Sequence, residues 1–237
     1  MTGAVLSYGV FSARSSMFGP VTCRGVAQVP ARIALTFDDG PHPQATGAIC
    51  QVLAKHDVAA TFFMVGANVA AWPDVVRQVH AGGHLIGSHS FDHAYAGMFH
   101  GRAYWDDQLQ RTSNAIEKII TQRPLLFRPP MGFKHPPLMA AVRAAGQHVV
   151  TWSRRAFDGV RTTSHRIHDR LGPRAVAGDI LLLHDGAPPG RTHDPQPTVD
   201  ALDQVITTLK SRGMQLVRLD ELIEVETSQS QKRAEHV

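Results

Sequence analysis

Two short clusters of side chains in the 237-residue chain are suited to holding a metal ion and moving protons. The first is Thr36-Phe37-Asp38-Asp39-Gly40-Pro41, where two carboxylates stand side by side ahead of a turn. Adjacent like charges are costly unless something positive separates their roles, and Asp-Gly-Pro forces a turn that exposes both. A solvated turn satisfies the same pattern, so this cluster alone leaves both readings open. The second is His89-Ser90-Phe91-Asp92-His93, with two imidazoles four residues apart. That spacing brings two nitrogens to one side of a helical turn, a common way to present them to a metal. The chain has 14 histidines, however, and pairs at this spacing also arise by chance. Added to Asp39, the pair completes a set of two histidines and one carboxylate, with positions left for water and substrate. Zinc hydrolases and non-haem iron oxygenases both use such a set.

These clusters need elements to position them. Strands are predicted at Arg32–Phe37, Val58–Val65, Leu85–Ser88, Leu125–Arg128, His148–Trp152, Asp179–His184 and Gln215–Arg218. Between them the pattern predicts helices near Ala45–His56, Pro73–Ala81, Arg102–Thr121, Pro137–Ala145, Ser164–Leu171 and Thr198–Ser211, several ending in glycine. The alternation predicts an α/β fold with a largely parallel sheet, closing as a distorted or incomplete (β/α) barrel. Each cluster then lies at the C-terminal end of a strand, where such folds carry their active sites, as does the proline-rich loop Gly186–Pro197. Residues 1–30 read as a lead-in, 31–225 as the folded domain, and 226–237 as a polar tail.

Composition narrows the partners. With 43% hydrophobic and 19% charged residues the chain can bury a core. The net charge of +4 and pI near 9.4 form a mild basic bias, open to anionic envelope polymers or lipid head groups or to neither. Without a dense Lys/Arg block or a reader motif, no nucleic acid is expected, and no obligate protein partner is evident. Two cysteines, Cys23 and Cys50, exclude a cysteine-rich zinc knuckle and a disulfide scaffold. The opening MTGAVLSYGV lacks the charged and apolar regions of an export signal.

The chain resembles the polysaccharide deacetylases of the NodB-homology type, carbohydrate esterase family 4, across roughly residues 32–218. TFDDG at 36–40 and HSFDH at 89–93 look like the first two family motifs, with DVAATFFMVG (57–66) and GHLIGSH (83–89) similar to the framework around them. Arg128-Pro129-Pro130-Met131-Gly132 matches the third, Trp152 through Asp158 approximates the fourth, and Leu181-Leu182-Leu183-His184-Asp185 matches the fifth.

The resemblance implies hydrolysis of an N-acyl group on an amino sugar, in a polysaccharide, oligosaccharide or lipid-linked glycan such as peptidoglycan or chitin-type chains. It implies Asp38 as general base and Asp39, His89 and His93 as metal ligands. Zinc is the first expectation, with Co2+, Ni2+, Fe2+ or Mn2+ able to occupy such a site. Arg128 is then the partner of Asp38, Met131 the backbone oxyanion donor, and His184 the general acid held by Asp158. Leu182 would line the small apolar pocket for the acyl methyl group, and Pro130 and Met131 would also bind substrate. Relatives of this type act at the cell envelope or periplasm, which implies the same place here.

Two departures bear on substrate choice: Met131 stands where Phe or Tyr is usual, and Gly159 where Trp is usual. Both predict a less aromatic groove with open space beside Asp158 and His184. Trp152 and Trp72 are alternative aromatic donors or core residues. His80, His84, His100, His135 and His165 are read as structural or surface residues. The competing functions are a silent carbohydrate-binding relative and a non-haem iron oxygenase. The latter leaves Asp38, Arg128 and His184 without a task.

Overall fold

The run RIALTFD, apolar enough to be buried on both faces, forms strand β1 (Arg32–Asp38) at the centre of the sheet. The computed structural model describes residues 3–27 and 30–224. Strands β2 (Thr61–Met64), β3 (Leu85–Ser88), β4 (Leu126–Phe127), β5 (His148–Val149), β6 (Arg154–Arg155), β7 (Ile180–His184) and β8 (Gln215–Leu216) follow. Their order is β5-β4-β3-β2-β1-β7-β6, with β8 paired to β1, and all these pairings are parallel. A single extended stretch, 148–156, carries both outer strands. Its Val150 N–H donates to Phe127 on the β4 side, and its Ala156 N–H to Leu182 on the β7 side. The sheet therefore curls into the distorted barrel that the alternation predicts, and this stretch is its seam.

Helices α1 (Gly3–Phe11), α2 (Ala45–Lys55), α3 (Gly66–Ala71), α4 (Pro73–Ala81), α5 (Arg102–Ile120), α6 (Pro136–Ala144), α7 (Ser164–Leu171), α8 (Gln196–Ser211) and α9 (Leu219–Ile223) complete the fold. The long ones bury apolar stripes at helical spacing, such as Trp105, Leu109, Ile116 and Ile120 in α5, and Leu202, Val205, Ile206 and Leu209 in α8. Each fully buried side chain of this size contributes about 1.5–3 kcal/mol.

Strand alternation decides what reaches the site. In β1, Ile33, Leu35 and Phe37 join the core under the helices, while Ala34 belongs to a second cluster with Phe63, Leu85, Leu126, Val150 and Ile180. That cluster plugs the barrel interior. Gly87 belongs to the same packing: a β-carbon there would lie 2.6 Å from Phe63 Cδ1 and 3.2 Å from the Leu126 carbonyl. Counting by twos from the plug towards the strand ends leads from Ala34 to Asp38, Leu85 to His89, Leu126 to Arg128 and Ile180 to His184. The register also sets Asp38 directly opposite His184.

The predicted helices fall within two residues of those observed. Not anticipated were α1, α3, α9, β6 and the short 3-10 helices Tyr95–Phe99 and Pro130–Gly132. Several strands are shorter than predicted, β2 by three residues at its start and β8 by two at its end. The lead-in holds α1 and docks beside the seam, where Thr22 bridges Val150, Ala13 O accepts from Thr151 Oγ1, and Val10 O accepts from the Lys134 N–H. The polar tail, 226–237, lies outside the described residues. Among the described residues no helix is long and apolar enough to cross a membrane. Cys23 and Cys50 are free thiols.

Candidate active site

Asp38 closes β1, and Asp39 follows with φ of 73°, in the left-handed region. His93 and Ser90 share that region, at φ 52° and 62°. Such values in non-glycine residues are sparsely populated and persist where the surroundings over-determine them, often at functional sites. Here the Ser90 hydroxyl accepts from the His93 N–H at 3.1 Å, and Gln108 Oε1 accepts from the N–H groups of Phe91 and Asp92. The histidine motif is thus an irregular loop after β3 rather than the helical turn its spacing suggests.

Asp39, His89 and His93 are buried, and their ligand-type atoms lie within 4.8 Å of one another. Asp39 Oδ1 is 3.4 Å from His89 Nε2 and 3.3 Å from His93 Nε2. His89 Nδ1 is 2.7 Å from the Arg128 carbonyl. A carbonyl only accepts, so Nδ1 carries a proton and Nε2 is left facing Asp39; burial pulls the ring's pKa down, but the charges of Asp38 and Asp39 outweigh it and raise it. Burial holds His93 neutral, its pKa lowered to about 4 against the opposing pull of Asp39. Burial pushes Asp39 up, but the surrounding imidazoles outweigh it and hold the carboxyl below the usual carboxylate range. Asp39 Oδ1 and His93 Nδ1 have no hydrogen-bond partner among the described residues. An unsatisfied carboxylate oxygen between two imidazole nitrogens is what a divalent cation would complete. The donor set fits a metal.

Asp38 lies beside this centre, its Oδ2 3.7 Å from His89 Nε2. Its Oδ1 accepts from Arg128 Nη1 at 2.7 Å. Arg128 is fully buried and fixed on every side: it also donates to Thr36 Oγ1 and the Thr151 carbonyl, and lies 4.1 Å over the Phe63 ring. Across the ladder, His184 Nδ1 donates to Asp158 Oδ1 at 2.9 Å. Asp158 Oδ2 accepts from the His184 N–H and from Thr198 Oγ1, each at 2.8 Å. Burial alone would lower the His184 pKa. The Asp158 charge and hydrogen bond, then Asp39 and Asp38, outweigh it and raise the value to about 10. Asp158 is lowered, since His184 and these hydrogen bonds overcome burial.

These groups face a cavity of about 510 Å³ lined by Asp38, Asp39, His89, His93, Met131, Leu182 and His184. Pro130 is buried and does not line it. Met131, at φ 58°, is 46% exposed, and its N–H engages no acceptor among the described residues. The residues at Met131 and Gly159 do not leave the cavity without aromatic surface. Tyr95, Trp152 and Phe157 also line the cavity. Nor does Gly159 leave open space at His184, because a β-carbon there would sit 3.2 Å from His184 Cε1. Trp72 is exposed and lines no part of the cavity, and neither does any of the five histidines read as structural or surface residues.

Sequence reasoning missed Tyr95, Arg155, Phe157, Arg191 and His193. Arg191 and His193 lie on the proline-rich loop flagged for its position, and Arg155 and Phe157 within the stretch matched to the fourth motif. No spacing rule singles them out. Asp185 was quoted only as part of the fifth motif. It is buried, accepts from Thr46 Oγ1, and has a pKa raised to about 7 by burial and by the charges of Asp39 and Asp38.

Fold and site together define a metal-dependent hydrolase built on a parallel α/β barrel, with one carboxylate and two imidazoles beside an aspartate–arginine and a histidine–aspartate pair. The family model described as polysaccharide deacetylase matches residues 26–150. The chain belongs to the polysaccharide deacetylase family. It is 36% identical over 193 residues to a peptidoglycan-N-acetylglucosamine deacetylase of Bacillus cereus, covering 81% of this chain and 87% of the relative. It is 32% identical over 202 residues to a chitooligosaccharide deacetylase of Azorhizobium caulinodans, covering 81% and 94%. Among solved structures, the Bc1960 peptidoglycan N-acetylglucosamine deacetylase superposes with a TM-score of 0.80 at 29% identity, over 87% of this chain and 94% of that one. A CE4 family pseudoenzyme from Bacillus anthracis gives 0.77 at 25% identity, over 86% and 69%.

Proposed function

We propose that the chain hydrolyses the N-acetyl amide of an amino sugar in a peptidoglycan- or chitin-type glycan, releasing acetate and a free amine. One observation carries the reading: Asp38, paired to a buried arginine, stands 3.7 Å from His89 of the three-residue centre. A base beside the centre but committed to a different partner is what amide hydrolysis needs.

Asp39, His89 and His93 would hold a divalent ion, zinc before Co2+, Ni2+, Fe2+ or Mn2+. When bound, such an ion supplies Lewis acidity to the amide carbonyl and to water. Asp38 takes the proton of the attacking water, and Arg128 keeps its carboxylate aimed. The Met131 N–H donates to the oxyanion that develops on the carbonyl. His184, oriented by Asp158, delivers a proton to the departing nitrogen as the C–N bond breaks. Leu182 and Met131 form the apolar wall for the acyl methyl group. An oxygenase would leave Asp38, Arg128 and His184 idle, and a silent relative would lack one of them.

The test is acetate release from an acetylated chitooligosaccharide and from a peptidoglycan fragment by the zinc-loaded protein, with oxygen uptake followed in parallel. Acetate without oxygen uptake is expected. Asp38→Asn should lower turnover by roughly 10²–10⁴ while metal content is unchanged. No acetate from either substrate, or near-normal turnover in the variant, would overturn the assignment.

A further inference from the structure

Two arginines at the cavity have no task in the chemistry above. Arg155 and Arg191 both line it, and both are exposed. Among the described residues neither guanidinium has a carboxylate partner, in contrast to Arg24 and Arg154 with Asp179, Arg128 with Asp38, or Arg218 with Asp220. Each lies instead over an aromatic ring that also lines the cavity: Arg155 4.0 Å from the Phe157 centroid, Arg191 4.6 Å from that of Tyr95. Both rings are tied to the site. Tyr95 meets the His93 ring edge-on at 5.7 Å, and Phe157, at φ 57°, immediately precedes the Asp158 that holds His184. Arg170 also approaches Phe157, at 5.1 Å, but its Nη1 donates to the Ala156 carbonyl, so it is already committed.

A guanidinium laid flat on a ring covers its face and leaves its in-plane fork of N–H donors free. That fork matches a carboxylate or phosphate in two-point geometry. The anions inside the cavity have other roles, Asp38 paired to Arg128 and Asp39 facing the two histidines of the candidate metal centre.

We propose that Arg155 and Arg191 receive an anionic group, carboxylate or phosphate, carried on or next to the sugar being deacylated, so that the preferred substrate is an acidic glycan rather than neutral chitin. This rests on the deacylation reading and narrows it.

Three tetrasaccharides of equal length test it with the zinc-loaded protein: a neutral N-acetylglucosamine tetramer, one alternating with lactyl-ether sugars that bear carboxylates, and a neutral chain capped by phosphate. Wild-type kcat/KM should favour an anionic substrate over the neutral one by about tenfold at low salt, the scale of a charge-assisted contact. The ratio should shrink towards one at about 0.5 M salt. Whichever anionic chain is preferred identifies the source of the charge. Arg155→Gln and Arg191→Gln should each lower the ratio several-fold, and Arg191→Lys, keeping charge without the fork, should lower it less. A wild-type ratio near one, or variants that leave the ratio unchanged, would overturn the inference while leaving deacylation intact. Acetate from none of the three would overturn the deacylation reading and this inference with it.

Discussion

His184 shows how single contacts set the conditions for chemistry. A general acid must carry its proton at working pH and lose it only to the leaving group. Its ring is bound through Nδ1 to Asp158, whose other oxygen is occupied by Thr198 and the His184 N–H, so the carboxylate has no freedom to turn away. With the His184 pKa raised to about 10, the protonated form persists across the neutral and mildly alkaline range, and activity should fall only as pH rises towards that value. Asp158→Asn removes the largest stabilising charge, so the alkaline limb of kcat should retreat towards the ordinary histidine value of about 6.5. Identical alkaline limbs in the two proteins would mean that His184 is not the acid. At this scale much was legible: Asp38, Asp39, His89, Arg128 and His184 follow strands whose apolar runs announce them. Tyr95, Phe157 and Arg191 lie in loops without periodicity and meet the site only through tertiary folding, so their neighbours in sequence carry no signal of them.

At the scale of elements, helices with long apolar stripes were read to within two residues, whereas short pieces escaped. β6 is two arginines long and α3 reads GANVAA, too brief for either period to register. The pieces are held by contacts that cross between elements, and His84 is one of them. It is buried between α4 and β3, packs 5.4 Å from the Phe62 ring, and accepts from the Ala60 N–H through Nδ1 at 3.2 Å. An accepting Nδ1 excludes a proton, and burial, reinforced by Arg218, lowers the His84 pKa to about 4. The folded value lies below the unfolded one of about 6.5, so the neutral ring stabilises the fold fully above that pH. The contribution drains away as pH falls from about 6.5 to about 4, amounting to up to about 3 kcal/mol. His84→Asn keeps an acceptor near the same place but does not titrate. Urea unfolding at pH 7 and pH 4.5 should show a larger acid loss in the wild type than in the variant. Equal losses would show that His84 does not couple folding to pH.

For the molecule as a whole, the metal centre joins parts of the chain that are distant in sequence. Asp39 follows β1, while His89 and His93 follow β3, so an ion held by all three would cross-link two strands separated in the sheet by β2. The unfolded chain does not bring these residues together, and an ion that binds only the folded state stabilises it by mass action, about 2.7 kcal/mol at a hundredfold excess over Kd. For a chain of this size that corresponds to a rise in Tm of roughly 5–10 °C. Chelation should therefore lower the Tm of the zinc-loaded protein, and added zinc should restore it, with metal content following by elemental analysis. Asp39→Ala removes the anionic ligand and leaves two imidazoles, too few for a stable centre. Its Tm should be the same with and without zinc, and it should retain little metal after dialysis. The buried, unpartnered Asp39 Oδ1 sharpens the comparison, because an unsatisfied carboxylate oxygen costs stability in the metal-free protein that the alanine variant no longer bears. The metal-free wild type should then be no more stable than the metal-free variant. A wild-type Tm indifferent to chelation, or zinc retained by the variant at wild-type stoichiometry, would remove these three residues from the metal centre.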